Sequence, residues 1–161
     1  MNLMSDFPQM TIATDSVDRE LVERPRRWNI KFIRRFMLTF GLVSSIFDYL
    51  TFGVLIFALR ATPDQFRTGW FLESVVSASL IVLVIRTRRT FFTSRPGWHL
   101  ALATFLVIAA TLVLPFTPAA EIFGLTPLEP SFMFMLAGIL ALYVVAAEVA
   151  KKIFYAHSEF E

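Results

Sequence analysis

The sequence predicts an all-α membrane protein with four transmembrane helices. Three observations carry that expectation. Four apolar stretches, 36–59, 69–85, 97–116 and 131–150, divide the 161 residues. They run 24, 17, 20 and 20 residues, against the ~17–25 needed to cross a hydrocarbon core. Of the 15 basic residues, 13 fall on alternate connections: seven before the first stretch, four after the second and two after the fourth. Basic residues are retained on the cytoplasmic side of a bilayer, so the alternation places both termini there. Finally, 56% of residues are hydrophobic and only 17% charged, too few charges for the mixed surface of a soluble domain.

Residues 1–14 are moderately apolar but too short to span. Pro8 is expected to break or kink a helix there, because it lacks an N–H and its ring meets the carbonyl four residues back. Residues 15–35 form a charged connection on the cytoplasmic side. The first span then crosses outward. Residues 60–68 form a short outer loop with Pro63 as its turn residue. Trp70 and Phe71 open the second span as interfacial aromatics do. Residues 86–96 return the chain on the inner side, and Trp98 marks the third span. The outer loop 117–130 holds Pro118, Gly124, Pro127 and Pro130, and both its charges are acidic. Tyr155, Lys151 and Lys152 close the fourth span, and 151–161 is a cytoplasmic tail. Inside a bilayer each span must satisfy its backbone internally, so all four are helices.

Few residues could carry chemistry. Asn2, Ser5 and Asp6 share one helical face, and Pro8 would free the Met4 carbonyl. Oxygen ligands of these kinds suit a hard cation, although an ordinary polar N-terminus explains the same spacing. Asp48 lies mid-span, where a carboxylate costs at least ~2.5–3.5 kcal/mol. Gly41, Ser44, Ser45 and Thr51 lie on roughly its face, a seam for helix packing. Asp48 reads equally as an ion-pathway acid or as a buried carboxyl that locks that packing. Glu73, with Ser74 and Ser77 nearby, is expected at the outer interface rather than in a polar cavity. Glu148 is expected to pair locally with Lys151 and Lys152 at the inner interface. His99 reads as interfacial, and two distant histidines make no metal constellation.

Several classes are excluded. The chain has no cysteine, hence no disulfide, thiolate site or thiol nucleophile. It lacks the phosphate-cradling GxxxxGK[ST], GxGxxG and GxSxG patterns. Its arginines flank apolar segments, which fits lipid headgroups and topology and not nucleic acid. The start of the chain lacks the pattern of a cleavable signal.

The segment NLMSDFPQMTIATDSVDRELVERPRRW resembles the end of the sixth transmembrane helix of P-type cation-transporting ATPases and the loop after it. FGLVSSIFDYLTFGVLIF resembles the seventh helix of the bacterial magnesium-transporting branch. GWFLESVVSASLIVLVIRTRRTFF resembles its eighth helix and following loop, and LPFTP the end of its ninth. The resemblance covers nearly the whole chain in order. It implies the C-terminal helical bundle of such an ATPase, a partial sixth helix over residues 1–14 plus four transmembrane helices, in a bacterial inner membrane, with Mg²⁺ as the transported ion. It also implies that Asn2 and Asp6 face the intramembrane cation site, with Ser5 where a hydroxyl stands in the family. No such role carries over to Asp48 or Glu73.

The DKTGT segment, through which these ATPases couple ATP to transport, is absent from the sequence. ATP would therefore act through domains outside this chain, which holds no catalytic ATPase residue. The resemblance implies a C-terminal piece, whether truncated product, split subunit or excised domain, partnered by the remaining ATPase domains or an N-terminal subunit. Two other readings stand beside it: a stand-alone four-helix membrane partner or regulator, and a small channel or carrier built on Asp48 and Glu73.

Overall fold

The computed structural model describes residues 3–15, 29–91 and 93–158, all helix and connections, with no strand among them. The first helix, α1, covers Leu3–Thr11 and passes through Pro8 without ending. The expected break is displaced to a 3-10 turn, Ile12–Thr14, and the Thr11 hydroxyl donates to the Pro8 carbonyl at 2.8 Å.

Helix α2 starts at Ile30 and runs to Gly53, continuing as a π turn over Val54–Ala58. Its first turn is capped by Asn29, whose side chain accepts from the backbone of Lys31 and Phe32. That cap, not hydropathy, sets the start, six residues ahead of the apolar stretch. At 29 residues and 1.5 Å per residue, it is about 43 Å long. The turn bearing Lys31, Arg34 and Arg35 therefore extends beyond a ~30 Å hydrocarbon core. Its C-terminal end closes by a bond from Ala61 N–H to Leu55 C=O at 2.9 Å, with Arg60 at φ 50. This is the left-handed terminating residue of a Schellman-type stop.

Helix α3, Pro63–Ile85, opens with a capping box: Thr62 and Gln65 exchange side-chain-to-backbone bonds at 2.9 and 3.4 Å. Pro63 is thus the first helical residue, where its missing N–H is harmless, and not the turn of an outer loop. Helix α4 spans Trp98–Val113 and tightens into a 3-10 turn, Leu114–Phe116. A short α5, Ala120–Phe123, sits within the connection that follows α4 and ends at Gly124 with φ 63. Helix α6 runs Pro130–Ser158.

Four of these helices, α2, α3, α4 and α6, are long and apolar enough to cross a membrane. The central one is α3, which packs on α1, α2, α4 and α6. Its N-terminal half joins a core containing Leu55, Phe71, Leu72, Val107 and Phe132, and its C-terminal half packs Val82 and Leu83 on Leu100. By contrast α2 buries few residues and leaves Met37, Leu42, Ile46 and Phe57 exposed. An apolar face of that extent suits acyl chains. The chain is a multi-pass membrane protein.

Candidate intramembrane polar site

Helices α2 and α3 form a hairpin, and its arithmetic fixes which residues meet. Asp48 lies ten residues before Ala58, and Glu73 ten after Pro63. At 1.5 Å per residue both stand about 15 Å from the hairpin's closed end, half of a ~30 Å core. The Glu73 carboxyl faces Asp48 directly, with Ser77 beside it. Glu73 is 1% exposed, so the interfacial position expected for it is wrong. The cause is the early start of α3, which carries Glu73 well over a turn deeper than the apolar stretch suggests.

The third wall is α6. The Tyr143 hydroxyl shares a 2.8 Å hydrogen bond with Ser44 Oγ and lies within electrostatic reach of both acids. Its ring meets Phe47 edge-on at 5.4 Å. Two buried oxygens, Glu73 Oε2 and Thr51 Oγ1, have no hydrogen-bond partner among the described residues. Asp48, Glu73, Ser44, Ser77 and Tyr143 thus make a polar cluster among three helices, in a region where each polar group needs an internal partner.

Asn2 lies outside the described residues, as does the side chain of Ser5. Asp6 is half-buried on α1, which packs against α3 and α4. The acid pair instead occupies the junction of α3 with α2 and α6. No group of three or more His, Cys, Asp or Glu side chains that could hold a metal occurs among the described residues.

The family model described as "Cation transporting ATPase, C-terminus" matches residues 1–153. The chain belongs to this family. Similar proteins include "Magnesium-transporting ATPase, P-type 1" of Salmonella typhimurium strain LT2, 41% identical over 155 residues, and of Escherichia coli strain K12, 40% identical over 155 residues. Each comparison takes in 93% of this chain and 17% of the relative. A second Salmonella typhimurium LT2 protein of that name is 37% identical over 158 residues, 95% of this chain and 17% of that protein. The chain spans 17% of the length of the curated relatives it matches.

Within this cation-transporting ATPase segment, two further networks gather on the connection between α3 and α4. Lys151 donates to Val84 C=O, Arg89 C=O and Glu148 Oε1 at 2.8, 2.9 and 2.7 Å. Glu148 Oε1 also accepts from Phe91 N–H at 2.9 Å. The local Glu148–Lys151 pair therefore exists, but buried and not at a solvated interface: the two side chains are 11% and 1% exposed. Arg86 pairs with Asp15 at 2.9 Å. Sequence reading missed this second pair; 71 residues separate its partners, and neither residue type is unusual at a span's end.

Proposed function

We propose that this chain forms the C-terminal membrane part of a magnesium-transporting P-type ATPase and contributes one wall of its cation site. Asn2 and Asp6, with Ser5 beside them, supply oxygen ligands to the magnesium ion in transit, a hard cation that such donors suit. Residues 1–14 are the partial transport helix, and 15–35 are a loop beneath the cytoplasmic domains. Residues 36–150 hold the four bracing helices, and 151–161 are the inner tail. ATP acts through domains outside this chain. The protein sits among the lipids of a bacterial inner membrane with both termini cytoplasmic.

The observation that carries this reading is the family match over residues 1–153. It is supported by the packing of α1 on α3 and α4, which sets the Asp6 helix against the bundle rather than apart from it. Asp6→Ala or Asn2→Ala, made in the full-length pump carrying this segment, should depress magnesium uptake about 10-fold or more, as the loss of a metal-site group does. Undiminished uptake in a strain lacking its other magnesium carriers would reject the assignment.

The cluster at Asp48 and Glu73 supports a second role, as a polar lock between bracing helices. The contact of Glu73 with Asp48 and the bond of Ser44 to Tyr143 fix α2, α3 and α6 at one depth. Apolar packing alone discriminates depth weakly in lipid.

A further inference from the structure

We propose that Asp15 and Arg86 form a positioning clasp that sets where α1 stands, so that cation affinity at Asp6 depends on it. The proposal rests on the reading of α1 as a cation-binding helix. Asp15 follows directly on the 3-10 turn that ends α1, and its N–H bonds to Ile12 C=O at 3.1 Å. One carboxylate oxygen accepts from Arg86 Nη1 at 2.9 Å and the other from Gly97 N–H at 2.6 Å. Arg86 follows α3, and Gly97 is the N-cap of α4 with no side chain of its own to cap it. Arg86 Nη2 donates to both Ser94 C=O and Ser94 Oγ. A single carboxylate therefore joins the inner end of α1 to the ends of the two helices on which α1 packs.

The side chains of Arg86 and Asp15 are 2% and 5% exposed. Burial of a charge pair adds little net stability over an apolar pair, but it penalises any arrangement that separates the charges. That is the property of a register device. Asp6 lies nine residues before Asp15, along a helix and turn that rise together by about 14 Å. A displacement at the clasp is carried to the Asp6 carboxyl with little loss. Metal coordination tolerates only ~0.2 Å in ligand distance, so small displacements at Asp15 matter at Asp6.

The connection between α3 and α4 is also held from its other side by Lys151 and Glu148 on α6. The hydrogen bonds of that network join α3, the connection and α6, and it serves as the control. In the full-length pump carrying this segment, magnesium uptake is measured against magnesium concentration for Asp15→Asn, Asp15→Glu, Lys151→Met and Asp6→Asn. Amounts of each in the membrane are matched.

Asp15→Asn is expected to raise the half-saturating concentration about fivefold or more, the lower end of usual coupling factors, with the saturated rate within about twofold of the parent. Asp15→Glu keeps the charge on a longer arm and should shift the same way by less. It supplies the same readout if Asp15→Asn does not accumulate. Unchanged half-saturation in both Asp15 variants overturns the clasp, as does an equal shift in Lys151→Met. If Asp6→Asn leaves uptake unchanged, the reading of α1 fails and the clasp with it; loss of uptake in Asp6→Asn with unshifted Asp15 variants removes the clasp alone.

Discussion

Lys151 shows how a charge can be buried near a span's end. An ammonium has three N–H bonds, and here each has one acceptor: two backbone carbonyls and Glu148 Oε1. Substituting one partner leaves the other carrying an uncompensated charge, at a cost of about 3–5 kcal/mol. Lys151→Met should therefore lower the thermal midpoint of the detergent-solubilised protein markedly. Adding Glu148→Gln should restore part of the loss, because the carboxylate charge goes with it. Equal midpoints for Lys151→Met and the parent would show that the network contributes nothing. The spacing of Glu148 and Lys151 was readable in the sequence. Their burial was not, because it depends on carbonyls of α3 and of the connection after it, more than 60 residues away. Asp48 was equally readable as a mid-span acid, whereas its neighbour Glu73 was misplaced by one hidden helix start.

At the scale of elements, that start is instructive. Hydropathy begins α3 at Gly69, but Thr62 and Gln65 form a capping box that begins it at Pro63. The S/T-x-x-E/Q pattern is a sequence signal, overridden in a reading that followed apolarity alone. The π turn at the end of α2 has no comparable signature, since it answers to packing at the hairpin. Gly69 marks how closely that hairpin closes: a Cβ there would stand 2.8 Å from Leu55 Cδ2, and Leu55 is fully buried. Gly69→Val should cost about 1–3 kcal/mol, as overpacking does. Gly53→Ala, with nothing within 4 Å of the new carbon, should be neutral or gain up to ~1 kcal/mol from the lost backbone freedom. Thermal midpoints of the two variants test the contrast. A Gly69→Val protein as stable as Gly53→Ala would mean that the hairpin has room to open.

For the whole molecule, charge sorting and helix packing are separate constraints that agree. Among the described residues, Lys31, Arg34 and Arg35 lie at the same end of the bundle as Arg86, Arg89 and Lys151, which also hold the fold together. At the other end Arg67 is tied down: it donates to Gly124 C=O at 3.0 Å and lies 3.5 Å from Asp64. One of the two arginines of the sparsely charged connections is thus held by the cap of α5. The four spans were legible because hydrocarbon thickness and the positive-inside bias act along the chain. The Asp48–Glu73 meeting was legible only once both hairpin ends were known, since a shift of six residues moves a helical side chain about 9 Å in depth. The charge pattern predicts an orientation that is open to a direct test, because the chain contains no cysteine. Exposed Glu121 and exposed Arg95 lie in connections that the proposed orientation puts outside and inside, and single cysteines there report the two sides. In intact cells stripped of their outer membrane, a membrane-impermeant maleimide should label Glu121→Cys and spare Arg95→Cys until the inner membrane is opened. The reverse pattern would place the basic connections outside and overturn the proposed position of residues 15–35 on the cytoplasmic side.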